Sequence, residues 1–328
     1  MFKLFKKFCL LIAVFFINNR RYQYLKRYYL NKSIDIKKAK PIRVKNDKDY
    51  ENMGIERFIV ETYDGSNQYT HPDIVLWRDA LFLVLTPYPY GIESYENPSL
   101  YKLDNRLKKI EFSNPIASLN DVKRRNHLSD PFFCPSDNCL LILYRKNVIV
   151  DYIEQVSIEF VVLDNSYNLL PSRVLISGKE DMLSPIMYKS DSSFFLQYIN
   201  RIGNVSEVVE KQFDNQLKQT NSQIVNMVGF PDGFYLWHFG IDHNTNKTIK
   251  GLLLLREIQS DNHFILCESV FEKTLHSWIY VKTVAIPDYL DKTIGHIYKS
   301  CYLPNTNKVL LSFRDKRFRY YSSFIELK

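Results

Sequence analysis

"YTHPDIVLWRD" (residues 69–79) and "NHLSDPFF" (residues 126–133) decide how this chain is read. Each sets a carboxylate beside a proline, Asp73 in the first and Asp130 in the second, just ahead of an apolar run. Acidic residues are depleted from strands, so a carboxylate at the mouth of two similar runs asks for a reason. Around them, beyond residue 55, the chain is a succession of short segments rich in aromatic and β-branched residues. "ALFLVLTPYP", "CLLILYRKNVIV", "VSIEFVVLD", "GFYLWHFGID" and "KGLLLLREI" are examples, and "YDGSN", "PSDNC", "FPDGF" and "PNTNK" are turns among them. The one stretch with a helical look, "VSEVVEKQFDNQLKQTN" (205–221), is read in this company as an edge strand and loop.

Many short strands at even spacing suggest a repeat. Polar residues precede strand-like segments at Asp73, Asp130, Ser184, His238 and Lys299, at intervals of about 50–60 residues. Five such units fit the blades of a β-propeller, each a sheet of about four strands. The competing architecture is a β-sandwich pair or an irregular all-β domain. In a propeller the first strand of every blade lines the axis, so the opening residues of all five units converge on one funnel.

The composition agrees with a globular body. Hydrophobic residues make up 45% and charged residues 24%, enough apolar surface for a sizeable core. Aromatics reach 15%, which suits cross-strand packing and also sugar stacking. The net charge of +8 is unevenly spread: residues 1–45 carry nine Lys and four Arg against the single acid Asp35, a net +12, which leaves −4 for the rest. A mildly acidic body argues against nucleic acid as a partner. The five cysteines, Cys9, Cys134, Cys139, Cys267 and Cys301, lack zinc-site spacing. They read as free thiols in a reducing compartment, with a Cys134–Cys139 disulfide as the alternative.

The chain divides into a basic, partly apolar arm (1–31), a polar linker (32–55) and the all-β body (56–328). In the arm, Lys3, Lys6 and Lys7 precede ten apolar residues, Phe8 to Ile17, followed by Arg20, Arg21, Lys26 and Arg27. The run is shorter than the roughly 17–25 residues a membrane span needs, and the cations after it disfavour translocation. Peripheral attachment to an anionic membrane from the cytoplasmic side is the first reading. A signal peptide or signal anchor for export is the alternative.

"HPDIVLW", "TPYPYGIESYENPSLY", "HLSDPFF", "LILYRK" and "LSPIMYK" together resemble the five-bladed β-propeller glycoside hydrolase-like proteins, relatives of glycoside hydrolase families 43, 32, 62 and 68 found in bacterial surface-polysaccharide loci. The resemblance covers residues 56–328 and is densest in the first two blades. It implies a base or nucleophile on the first blade, matched by Asp73, and an orienting Asp in a D-P context on the second, matched by Asp130. It also implies a general acid on the third, a Glu often in an E-G-P or E-C-P context. There the slot before the proline holds Ser184, with Glu180 and Asp181 just upstream. The resemblance leaves an axial Ca2+ open; the residues themselves supply no metal motif.

Glycoside hydrolysis needs one protonated and one ionised carboxyl group, and acids crowded on one axis push their pKa values apart. Asp73, Asp130 and Glu96 of "SYENPSLY" are the catalytic candidates, Glu96 as proton donor. The competing readings are proline turns for the two Asp and a turn cap for Glu96 and Asn97. Candidates for holding substrate are His71, Trp77, Tyr88, Asn97, Arg145, Ser184, His238 and Lys299. Tyr90 and Trp237 add stacking surface, and Arg125 and His127 add loop contacts. G-x-S-x-G, C-x-x-C, H-E-x-x-H, P-loop and G-x-G-x-x-G motifs are absent from the sequence. The expectation is therefore a glycoside hydrolase-like propeller acting on or binding a bacterial surface polysaccharide of capsule or O-antigen type. The alternative is an inactive glycan- or protein-binding propeller in polysaccharide biosynthesis.

Overall fold

A computed structural model describes Phe58 and residues 69–327, apart from 88–95, 105, 108, 116–126, 151–152, 203–204, 244–247, 261–262 and 317–319. The arm 1–31 and the linker 32–55 lie outside the described residues, as do Cys9, Tyr88, Tyr90 and Arg125.

The body is a ring of antiparallel sheets. Blade 1 is β1 (Tyr69–Trp77), β2 (Ala80–Pro87), β3 (Ser99–Leu103) and β4 (Lys109–Pro115). Blade 2 is β5 (His127–Pro135), β6 (Leu140–Val150), β7 (Ile153–Leu163) and β8 (Arg173–Gly178). Blade 3 is β9 (Leu183–Ser190), β10 (Ser193–Ile202), β11 (Val205–Phe213) and β12 (Gln219–Val228). Blade 4 is β13 (Phe234–Ile241), β14 (Ile249–Glu257), β15 (Phe264–Glu272) and β16 (Ser277–Val284). A four-residue helix, α1 (Asp288–Asp291), leads to blade 5, made of β17 (Ile294–Tyr302), β18 (Lys308–Asp315) and β19 (Tyr320–Glu326). The innermost strands β1, β5, β9, β13 and β17 touch in that order and β17 returns to β1, so the ring closes. This is the five-bladed propeller expected from the repeat. The segment with a helical look is β11 and β12, as its neighbours implied.

Two contacts join blades beyond side-chain packing. Phe58 N–H donates to Ser322 O on β19 (2.8 Å), and Tyr69 Oη donates back to Phe58 O (2.6 Å). The chain at residue 58 thus ties the last blade to the first strand of the first, a way of closing a ring that would otherwise end on an open edge. Blades 3 and 4 are joined by parallel pairing of β12 with β16. Trp278 of β16 is fully buried, donating Nε1–H to Gln197 Oε1 (2.9 Å). Gly251 of β14 lets that indole in, since a Cβ there would lie 2.4 Å from its ring. Cys134, Cys139, Cys267 and Cys301 are free thiols.

Each innermost strand breaks its ladder near its first residues. The register shifts fall at Thr70/Asp73, Ser129/Phe132, opposite Gln197/Ile199, at Leu236/His238 and at both Ile294/His296 and Ile297/Lys299. In blades 1 to 3 the bulge contains a proline, which has no N–H to give the ladder and is confined to such irregularities. The residue before it is left-handed each time: His71 (φ 50), Asp130 (φ 54) and Ser184 (φ 49). The equivalent positions of the three blades are therefore His71, Asp130 and Ser184. Asp73 lies two residues beyond the first of them.

Candidate active site

Two of the left-handed residues, His71 and Asp130, bring their side chains together, and the third, Ser184, reaches Asp130 through its backbone N–H. His71 Nε2 lies 3.2 Å from Asp130 Oδ1. From blade 4, His238 Nε2 lies 3.1 Å from the same oxygen. The two imidazole rings sit 5.1 Å apart and Tyr298 of β17 closes on His71 edge-on at 5.6 Å. Left-handed backbone costs an L side chain on the order of 1–3 kcal/mol and persists where the surroundings impose it, commonly at functional sites. Three such residues meeting around one carboxylate mark this end of the axis.

Ser184 organises the cluster. Its backbone N–H donates to Asp130 Oδ2 (3.3 Å). Its Oγ accepts from Phe239 N–H (3.0 Å), lies 3.1 Å from Phe239 O and touches His238 Nδ1. A hydroxyl has one proton and two lone pairs, so which acceptor takes the Ser184 proton, Phe239 O or His238 Nδ1, sets the His238 tautomer; with it on Nδ1, His238 Nε2–H donates to the ionised Asp130 Oδ1. Burial pushes the His238 imidazole down from its ordinary value against the pull of Asp130, and pushes His71 down to about 3. Burial alone would raise the Asp130 carboxyl, but His71 and His238 beside it hold it well below the usual carboxylate range. Near neutral pH the site is two neutral imidazoles on one ionised carboxylate.

Cations and further histidines surround it. Lys299 is buried, donates Nζ–H to Pro131 O (2.8 Å) and lies over the Phe132 ring at 5.2 Å. Arg145, also buried, donates Nε–H to Asp181 O (2.7 Å). Asp73 has other partners: its Oδ2 accepts from Phe133 N–H (2.8 Å) and lies 3.1 Å from His243 Nε2, so it meets blade 2 and the segment after β13 of blade 4. Glu96 is buried against His127. Each of the three carboxylates thus has a histidine partner of its own. Asn97 is buried, and its carbonyl accepts from Ser99 Oγ (3.4 Å). Glu180 receives the Tyr198 hydroxyl, and Asp181 meets Arg201 at 3.5 Å.

Trp77 stands at the other end of β1, six residues from His71 and so roughly 20 Å along the strand. It donates Nε1–H to Ser136 O (2.9 Å) and packs on Phe82 and Tyr167. Trp237, next to His238, lies between the Arg256 (4.6 Å) and Arg201 (5.3 Å) guanidinium groups, with His296 edge-on. Burial, with Arg256 and Arg314 nearby, lowers His296 to about 3. His243, His296 and Tyr298 were not among the sequence candidates. The last two flank the blade-5 bulge, and that irregularity was the available signal.

The geometry speaks to the axial Ca2+ that the family resemblance leaves open. Calcium takes six to eight oxygen ligands. Two imidazole nitrogens and one carboxylate do not fit that ion.

No protein-family model and no curated protein matches the chain. Solved structures do. An N-acetylgalactosamine deacetylase from F. plautii, in complex with blood group B trisaccharide, superposes with a TM-score of 0.67 at 16% identity, over 82% of this chain and 93% of that one. A thermostable family-43 glycoside hydrolase gives 0.61 at 9% identity, over 80% and 90%. A family-43 β-xylosidase/α-arabinofuranosidase from a compost microbial metagenome, calcium-free and with xylotriose, gives 0.53 at 10% identity, over 84% and 94%. The fold is that of the family-43 glycoside hydrolases. At these identities the likeness is one of fold, and activity has to be argued from the site.

Proposed function

We propose that the chain is a hydrolase acting on a glycan at the axial site, with His71, Asp130 and His238 as its working groups. The observation that carries this reading is the proline register. The equivalent positions of blades 1 to 3 hold His71, Asp130 and Ser184, so the third carries no carboxyl group. Hydrolysis by paired carboxylates requires a protonated acid for the leaving oxygen. His71 and His238 are held neutral and Ser184 is a poor acid, so this cluster suits an acyl carbon better than an anomeric one. In that chemistry a water on the axis gives its proton to a neutral imidazole backed by Asp130. Lys299 offsets the charge that develops on the acyl oxygen. That the same fold serves a sugar deacetylase in F. plautii supports the reading.

The substrate we favour is an acyl-bearing bacterial surface polysaccharide. The basic, apolar arm 1–31 would hold the propeller at an anionic membrane where such polymers are built. Flotation of the full chain with anionic vesicles, lost on removing residues 1–31, checks the arm. Turnover is checked by incubating the chain with acetylated polysaccharides and measuring released acetate and released reducing ends separately. Acetate release that falls more than about 100-fold in His71→Ala and Asp130→Asn supports the reading. A second reading, two-carboxylate glycoside hydrolysis by Asp73, Glu96 and Asp130, is favoured by the burial of all three acids. Reducing-end release abolished by Asp73→Asn would establish it, and no release of either kind would leave a glycan-binding propeller.

A further inference from the structure

The donor set that rejects calcium has a positive preference. We propose that His71, Asp130 and His238 form a binding site for a first-row transition metal ion such as Zn2+, held by the two Nε2 atoms and Asp130 Oδ1. This deepens the hydrolase reading and rests on it only for the role of the ion, not for its binding.

Three observations carry the site. The first is spacing. Bonds of about 2.1 Å meeting at tetrahedral or octahedral angles set neighbouring donor atoms roughly 3.0–3.4 Å apart. The two imidazole nitrogens lie 3.2 and 3.1 Å from Asp130 Oδ1. All three donors fall within 4.8 Å of one another, and among the described residues this is the one such group. The second is the outer layer. Ligating histidines and carboxylates characteristically have their remaining polar atoms fixed by neighbours. Ser184 does both here, through Oγ on His238 Nδ1 and through its N–H on Asp130 Oδ2. The third is placement: the donors come from the inner strands β1, β5 and β13 of three different blades, so they converge where those strands meet. Two imidazoles and one carboxylate, with positions left open, suit first-row transition ions and leave room for water or substrate. The His71 side chain keeps 13% of its surface exposed, so the donors are reachable from the axis. When bound, such an ion would supply Lewis acidity and lower the pKa of a water, in place of proton transfer to an imidazole whose Nε2 it occupies.

The test is calorimetric titration of the purified, chelator-stripped full chain with Zn2+ and with Ca2+. One Zn2+ per chain, and no Ca2+ at the same concentrations, is expected. The double variant His71→Ala/His238→Ala should lose that ion, whereas His263→Ala/His276→Ala, which removes the two histidines most exposed to solvent, should keep it. Ser184→Ala should weaken Zn2+ by 10- to 100-fold. If the double variant fails to melt cooperatively, visible d–d absorption of the Co2+-loaded wild type, bleached by one equivalent of Zn2+, serves instead. Absence of a stoichiometric Zn2+, or its retention by a folded His71→Ala/His238→Ala chain, overturns the site. Glycan turnover by the metal-free chain also overturns the ion's role and leaves the hydrolase reading standing. Bound Zn2+ without turnover sinks that reading and leaves the site.

Discussion

Two carboxylates are buried in neighbouring parts of this propeller, and they are treated in opposite ways. Glu210 of β11 lies between blades 3 and 4. Its Oε2 accepts from Tyr188 Oη–H (2.8 Å) and Gln197 Nε2–H (2.7 Å), and its Oε1 accepts from Gln223 Nε2–H (2.8 Å). Gln197 in turn accepts from Trp278. Three neutral donors at good distances satisfy this acid, on ordinary strand backbone, with His276 Nδ1 farther off at 3.6 Å from Oε1. Asp130 instead presents one oxygen to two imidazoles, receives a single longer backbone bond, and sits on left-handed backbone. A buried polar network is stabilising when every member is satisfied and costly when it is not. The first acid is mortar between blades; the second is held ready at the expense of local comfort.

The largest effect that tests this contrast is on Glu210. Glu210→Ala strands the buried Tyr188 hydroxyl and Gln197 amide without that acceptor, and buried unsatisfied donors cost roughly 1–3 kcal/mol each. A loss of about 4 kcal/mol in urea denaturation is expected, with glycan turnover per folded molecule unchanged. A smaller loss than Asp130→Asn produces would break the contrast. Next is Gly251→Ala, which drives a methyl group into Trp278 in the same network. Overpacking of this kind costs about 1–3 kcal/mol, and Gly251→Ser should do no better.

Much of this was legible beforehand. Aromatic and β-branched runs between explicit turns identified the strands, and their spacing counted the blades. Within blade 1 the acid and the proline give registers two residues apart. Pro72, Pro131 and Pro185 each remove a ladder donor and so mark the bulge, which puts His71 in line with Asp130 and Ser184. Asp73, two residues on, bonds the Phe133 backbone across blades. Ser184 and His238 were found from the repeat. That Ser184 meets both His238 Nδ1 and the Phe239 backbone depends on how β9 and β13 pack, which no spacing reveals. Trp77 illustrates the other limit: a ring near a site in sequence lies far from it when the strand runs straight away from the axis mouth.

Acid titration separates the two regions by a middling effect. His296 is neutral in the fold at about 3 and would titrate near 6.5 when unfolded. Its lowered folded value means the unfolded chain binds the extra proton first. Stability from this residue is complete above about pH 6.5 and falls as pH drops toward 3, by about 1.4 kcal/mol per unit. Between pH 7.5 and 5.0 the wild type should therefore lose about 2 kcal/mol more than His296→Phe. The Glu210 network should contribute nothing to that difference, so Gln197→Ala in either background should leave it intact. Urea melts at the two pH values measure both.

The smallest effect on stability is the most telling. Asp130→Asn removes the charge and keeps the shape, and the amide nitrogen can donate to whichever imidazole offers a lone pair. Desolvation of one ion is no longer required, and the left-handed backbone at this position suits Asn at least as well as Asp. The expected change is within about 1 kcal/mol of zero, of either sign, while turnover is abolished. Sites under functional constraint are commonly less stable than their best replacement. A loss of several kcal/mol with activity retained would mean that Asp130, like Glu210, is mortar. The axis would then be closed by the same kind of network that joins blades 3 and 4, and the paired histidines would be its donors rather than its tools.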